Sequence, residues 1–225
     1  IACAMAGIIS GVIMGSGLGY RISSILTSVA GTSMLLLLVL TMVVSLIMGM
    51  GVPTTAAYLV LASLVAPTMI QLGIPPLAAH MFIFYFGCIS SITPPVALAA
   101  YAGAGLAGCD PNKTGYKAFR LAFCSFLMPY LFVYNPVLLM EGGVLDILWS
   151  LVTALIGAYL LASGFEGFFF RWSLKWFERP LMILGAVMLI VPGMVTDLVG
   201  IAIIVVEFVT EFMFKRSEKF VPVTV

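Results

Sequence analysis

Between Arg21 and Asp110 the chain runs for 88 residues without one Asp, Glu, Lys or Arg. Soluble domains cover their surface with charged side chains, which make up about a quarter of their residues. Here such residues are 8% of 225, against 63% hydrophobic, and they fall in short clusters between long apolar runs. Membrane helices joined by charged loops are the arrangement this pattern predicts. The net charge of +1 gives no electrostatic reason to expect nucleic acid, and no basic helix face or aromatic-basic interleaving supplies one.

Cys3, Cys88 and Cys124 lie within apolar runs and Cys109 ends one, with no paired spacing of a metal or redox motif, so they read as small packing residues. The chain opens IACAMAG, with no initiator Met and no basic region ahead of the apolar one. It therefore reads as the carboxyl-terminal part of something longer, not as a signal peptide.

Gly7, Gly11, Gly15 and Gly19 share one helix face, and that spacing favours close helix packing in lipid over ligand contact. Two apolar runs, 31–48 and 56–70, then flank Gly49-Met50-Gly51-Val52-Pro53-Thr54-Thr55. Hydropathy accepts two spans or one re-entrant hairpin. The connection carries no charge, yet it is too rich in Gly, Pro and Thr to continue a helix. That favours a hairpin over 31–70 with its tip inside the protein, since irregular backbone survives at membrane depth only where protein or an aqueous cavity satisfies it.

Residues 77–107 form an apolar run of 31 residues, about 46 Å if wholly helical against a hydrocarbon core of about 30 Å. Near its centre stands Ser90-Ser91-Ile92-Thr93-Pro94-Pro95, where tandem prolines predict a broken helix. Residues 117–140 and 144–163 read as two further spans, and 181–214, interrupted by Pro192-Gly193 and Asp197, as a hairpin or one long span. Lys113, Lys117 and Arg120 mark a cytoplasmic loop by the positive-inside rule, the loop around Glu141 and Asp146 lies opposite, and Arg171, Lys175 and Arg179 return to the cytoplasm. The intervals 20–30 and 71–76 are then periplasmic. A hairpin over 181–214 is preferred because it brings Lys215, Arg216 and Lys219 to the cytoplasm, with 215–225 as a tail.

A proline at position i leaves the carbonyl at i−4 without its helical donor. Pro53 therefore frees Gly49, and Pro94 and Pro95 free Ser90 and Ser91, beside the hydroxyls of Thr54, Thr55, Ser90, Ser91 and Thr93. Two uncharged, oxygen-rich clusters result, of the kind with which broken-helix transporters hold a hard cation such as sodium. Half-helices beginning near Thr54 and Val96 offer free N–H groups to an anionic substrate. The plainer reading is a pair of structural Pro kinks, common in membrane helices. Two uncharged breaks in consecutive apolar units weigh against it.

His80, the one histidine, lacks an acidic neighbour in its run and reads as a hydrogen-bonded interior residue at a helix start, not a proton relay. Asp197, Glu207 and Glu211 are intramembrane acids and so functional candidates, or interfacial residues near a turn or end. Gly103-Ala104-Gly105-Leu106-Ala107-Gly108 matches the dinucleotide fingerprint by letter but ends a membrane helix instead of following a strand. No phosphate loop occurs, and Asp110-Pro111-Asn112-Lys113-Thr114-Gly115 has Leu121 where a calcium loop needs its closing Glu.

GMGVPTTAAY at 49–58, APTMIQLGIPPLAAHMFIFYFG at 66–87, SSITPPVALAAYAGAGLAG at 90–108 and MPYLFVYNPVLL at 128–139 resemble the large membrane component of tripartite ATP-independent periplasmic (TRAP) transporters, most closely the fused form. The resemblance covers residues 1–140. It implies one half of an inverted-repeat elevator transporter in the bacterial inner membrane: an all-α, multi-span helical bundle with a re-entrant hairpin and a Pro-broken helix. It further implies sodium as coupling ion, no other cofactor, and an extracytoplasmic solute-binding protein as partner. In such families the hairpin tip and the facing break hold sodium and substrate, which map here onto Gly49, Gly51, Thr54, Thr55, Ser90, Ser91, Thr93 and Pro94. Only the second repeat is expected in 1–140, so the remaining N-terminal part of the permease is a further partner. Residues 141–214 read as an accessory membrane extension, whose LIVPGMVTDLVG phrase is similar to a hairpin motif of small bacterial membrane proteins.

The function expected is uptake of small organic acids of the carboxylate or dicarboxylate class, and the fused arrangement points to binding proteins of the TAXI type. The alternative is a membrane scaffold without a transport site of its own. An intramembrane enzyme has no Ser-His, paired-Asp or metal-ligand constellation to support it.

Overall fold

The computed structural model describes residues 4, 7, 8, 11, 12, 15–31, 33–169, 172–191 and 193–214, without the side chains of 18, 19, 172, 173, 194, 195 and 207–214. Cys3, Arg171, Pro192, Lys215, Arg216, Lys219 and the tail 215–225 lie outside the described residues, as do the side chains of Glu207 and Glu211. The chain divides into two compact units, Ile1–Val133 and Tyr134–Val225.

In the first unit, α1 (Leu18–Ala30) leads into the hairpin formed by α2 (Met34–Gly49) and α3 (Thr54–Leu64), followed by the short α4 (Ala66–Gln71). Ser33 caps α2 by accepting the Leu36 N–H at 3.4 Å. The turn between the arms needs a left-handed residue, and Gly51 supplies it at φ 77°. Thr68 Oγ1 donates to Ser23 Oγ at 2.8 Å and so ties α4 to α1.

Next come α5 (Pro76–Ile89), a 3₁₀ turn at Ser90–Ile92, an irregular stretch through Ala97, and α6 (Leu98–Ala107). The core lies between the hairpin and α5, where Leu38, Leu61, Met69, Phe82, Ile83 and Phe86 are fully buried. Behind it Phe82 and Phe86 meet Tyr130 edge to face at 5.3 and 6.0 Å, and the Tyr130 hydroxyl reaches Met42 Sδ at 3.2 Å. Among the described residues, nothing lies within 4 Å of a Cβ built on Gly7, Gly11 or Gly15, so the glycine face expected to pack closely meets none of them.

Residues 117–140, read as one span, are instead divided. They comprise the end of α7 (Pro111–Ala122), a 3₁₀ turn at Phe123–Phe126, α8 (Met128–Tyr134) and a second 3₁₀ turn at Pro136–Leu139. The cause is local: Pro129 and Pro136 each remove a donor and crowd the carbonyl four residues before.

The second unit holds α9 (Val144–Glu166), α10 (Glu178–Ile190) and α11 (Met194–Phe214). Apart from helices it has an antiparallel ribbon of two residues per strand, β1 (Phe168–Phe169) and β2 (Trp172–Ser173), in the stretch read as an aromatic loop. Stretch 181–214 is a hairpin: Gly185 faces Ile203 while Gly200 faces Leu189, so α10 and α11 run antiparallel. Glycines also set the α9–α10 contact, since a Cβ on Gly157 would meet Ile190 Cγ1 at 2.5 Å and one on Gly164 would meet Ile183 Cγ1 at 2.7 Å. This is the small-residue packing used where lipid supplies no hydrophobic drive.

Among the described residues, one helix, Val144–Glu166, is long and apolar enough to cross a membrane; Met34–Gly49, Thr54–Leu64, Pro76–Ile92, Leu98–Ala107 and Thr196–Val206 are shorter apolar helices. The hairpin arms have 16 and 11 residues. At 1.5 Å per residue they reach about 24 and about 16 Å, each short of a core of about 30 Å.

Candidate functional site at the hairpin tip and the helix break

The hairpin tip is folded onto the break. Gly49, the last residue of α2, presses on Ser90: an added Cβ would stand 2.9 Å from Ser90 Cβ and 3.3 Å from the Gly87 carbonyl oxygen, with the Ser90 hydroxyl nearer still. On the far side of the turn, a Cβ on Gly51 would lie 4.0 Å from Val96 Cγ1. Two segments distant in sequence thus form one oxygen-rich junction.

The prolines act more mildly than a fully freed carbonyl. Gly49 O still accepts the Val52 N–H at 3.5 Å and Ser90 O the Thr93 N–H at 3.3 Å, both long bonds from residues three positions on. The hydroxyls turn inward: Ser90 Oγ donates to Gly87 O at 2.6 Å, Ser91 Oγ to Cys88 O at 2.7 Å and Thr93 Oγ1 to Ile89 O at 2.8 Å. Each hydroxyl spends its proton on the helix and keeps oxygen lone pairs for something else. Ser90 and Thr93 are buried, Ser91 and Pro94 half-buried, and the Pro94–Pro95 peptide is cis. Thr54 and Thr55 open α3 as expected but are exposed, whereas α6 opens at Leu98, two residues beyond the expected Val96.

Between the break and α6, Ala97 is fully buried with φ 33°, a left-handed backbone that disfavours any side chain. Tyr101 steadies this stretch by donating its hydroxyl to Pro95 O at 2.8 Å. Held strain of this kind collects at functional sites.

Two residues that the sequence reading passed over belong here. Thr41 and Ser45 are fully buried on the α2 face that ends in Gly49, and neither hydroxyl has a hydrogen-bond partner among the described residues. Their i, i+4, i+8 spacing with Gly49 was the available signal. His80 at the start of α5 is half-buried, with Nδ1 3.1 Å from the Tyr58 hydroxyl of α3, as suits an interior hydrogen-bonded residue.

Among the described residues no three His, Cys, Asp or Glu side chains converge. The donors at the junction are hydroxyl and carbonyl oxygens, a set that suits a hard monovalent cation and not a soft metal.

The sequence model of one family, Tripartite ATP-independent periplasmic transporter, DctM component, matches residues 1–147, well over half of the chain and the whole of this junction. The chain belongs to this family. DctM components are transporter permeases, not enzymes. They serve secondary solute transport in the cytoplasmic membrane together with a periplasmic solute-binding protein and a small membrane subunit. Among curated proteins and among solved structures, none matches the chain.

Proposed function

We propose that this DctM chain is the C-terminal part of a sodium-coupled permease for small organic acids of the carboxylate or dicarboxylate class. A solute-binding protein of the TAXI type delivers the substrate, and the chain sits in the bacterial inner membrane with several spans. In this reading α2 and α3 form a re-entrant hairpin, because neither arm is long enough to span, and α5 with α6 is the facing broken helix. Residues 1–140 serve as the second of two inverted repeats.

The observation that carries the proposal is the contact of Gly49 with Ser90, which brings an uncharged tip onto an uncharged break. Sodium would be held by carbonyl and hydroxyl oxygens of Gly49, Thr54, Ser90, Ser91 and Thr93. Gly51 and Pro94 shape the backbone there, and Thr54 and Thr55 open a half-helix whose N–H groups suit a carboxylate. When bound, sodium supplies positive charge beside an anionic solute.

The test uses the full-length transporter, reconstituted with its binding protein. Thr93→Ala and Thr54→Ala should weaken the apparent sodium affinity of uptake by about tenfold, the loss expected for one charge-assisted contact. Unchanged uptake and sodium affinity in both variants would overturn the site, and no sodium-dependent flux in the unaltered transporter would favour a scaffold instead.

A further inference from the structure

Every formally charged side chain of the first unit except Arg21 lies between Asp110 and Arg120. Asp110 is the one acid of that unit, and it is already engaged: its Oδ1 accepts the Lys113 N–H at 2.9 Å as the cap of α7. The helix itself carries Lys113, Lys117 and Arg120 and no acid. At 3.6 residues per turn these three positions, i, i+4 and i+7, form one stripe, with Gly115 on the opposite face.

Gly115 is the buried residue of α7. A Cβ there would meet the Tyr101 ring at 2.9 Å and Ala97 Cβ at 3.6 Å, so α7 leans on α6 by this side and turns its cations outward, where all three are exposed. Tyr116 and Leu121, 68% and 69% exposed, border the stripe on its two flanks. Three residues separate α7 from the apolar α6, which keeps the stripe beside the membrane. Cations so placed meet the anionic groups of the lipid headgroup layer, and their apolar borders suit the acyl boundary beneath it, which a soluble anion does not offer.

The inner face of α7 leads to the helix break. Ala97 holds the left-handed backbone there, Tyr101 donates to Pro95 O at 2.8 Å, and α7 also packs on the 3₁₀ turn at Ser90–Ile92. Whatever fixes α7 from outside therefore steadies the break from behind.

We propose that the outward stripe of Lys113, Lys117 and Arg120 binds the headgroup phosphates of anionic phospholipids, and that this contact restrains the break through Gly115, Ala97 and Tyr101. The inference rests on the membrane setting of the family and not on sodium or solute at the junction, so either can fail without the other.

The test compares hydrogen exchange of the full chain in nanodiscs of phosphatidylcholine alone and in discs that also contain phosphatidylglycerol. Each basic residue at an anionic surface strengthens binding about fivefold, so peptides over 93–101 and 111–122 should exchange at least about tenfold more slowly with phosphatidylglycerol present. Replacing Lys113, Lys117 and Arg120 together by Gln should abolish the slowing and leave exchange in phosphatidylcholine unchanged. High salt should abolish it in the unaltered chain, which decides the matter even if the triple variant does not fold. Equal exchange in the two kinds of disc, slowing that survives the triple substitution or high salt, or equal protection by inorganic phosphate in phosphatidylcholine discs would overturn lipid binding by the stripe. Slowing over 111–122 that does not extend to 93–101 would overturn the coupling to the break.

Discussion

Gly49 at the end of one hairpin arm and Ser90 at the helix break touch with no room for one more carbon atom. The Cβ that alanine would add at Gly49 stands 2.9 Å from Ser90 Cβ and 3.3 Å from the Gly87 carbonyl, and the carbonyl is backbone that cannot swing away. Gly49→Ala should therefore destabilise the first unit by about 1–3 kcal/mol, the range for overpacking a close contact. Ser90→Gly in the same molecule should recover part of the loss and not all, because the Gly87 carbonyl stays. Thermal unfolding in detergent checks both, and an unshifted midpoint for Gly49→Ala alone would show that the tip does not rest on the break.

Thr41 and Ser45 make the opposite prediction. Their hydroxyls are buried without a partner among the described residues, so each carries a desolvation cost with no bond there to offset it. Thr41→Val removes that cost with little change of shape and should raise stability by about 1 kcal/mol. A fall of similar size would mean that water, an ion or another segment completes these hydroxyls in the membrane.

How much of this was legible in the sequence follows from how locally each feature is encoded. The turn at Gly49–Thr55 and the break at Ser90–Pro95 could be placed because Gly, Pro and Thr without charge have few other uses inside a long apolar run. Their contact could not, since nothing local states which glycine faces which serine. The division of 117–140 was hidden because hydropathy averages over Pro129 and Pro136, although both prolines were in view and only their steric effect was left out. Thr41 and Ser45 were absorbed into the apolar run in the same way. Asp197 drew notice as an intramembrane acid, but its bond to Trp149 joins residues of two different helices and has no sequence signature.

In the second unit, Gly164 tests whether packing rests on small residues. A Cβ there would lie 2.7 Å from Ile183 Cγ1 and 3.3 Å from the Arg179 carbonyl oxygen. Gly164→Val should cost about 1–3 kcal/mol and lower the amount of folded protein. Ile183→Ala should relieve part of that cost and not all, because the backbone oxygen stays. Full rescue by Ile183→Ala would place the whole clash on the isoleucine.

Tyr58 and His80 give a test of coupling between α3 and α5. The hydroxyl stands 3.1 Å from Nδ1, and the rings meet edge to face at 6.1 Å. Tyr58→Phe keeps the ring and removes only the hydroxyl, so it should cost about 1 kcal/mol. In His80→Phe the same change should cost close to nothing, since the bond is already gone. Additive losses in the double variant would show that the two residues do not interact.

The closeness of the hairpin tip to the break can be measured without transport. A Cβ at Gly51 lies 4.0 Å from Val96 Cγ1, within the range over which two cysteines can be joined once their side chains rotate. In a full-length transporter whose native cysteines, including Cys3, Cys88, Cys109 and Cys124, are replaced, Gly51→Cys with Val96→Cys should oxidise rapidly to an intramolecular disulfide. Either cysteine alone should not. A tip that instead lay at one membrane surface, as two full spans would require, would hold the pair about half a hydrocarbon core, some 15 Å, from a break near the midplane. No bridge could form at that distance, so absence of the crosslink under mild oxidation, in a variant whose unchanged thermal unfolding shows that Gly51→Cys leaves the left-handed turn intact, would exclude the re-entrant arrangement, and with it the shared site of Gly49, Ser90 and Thr93.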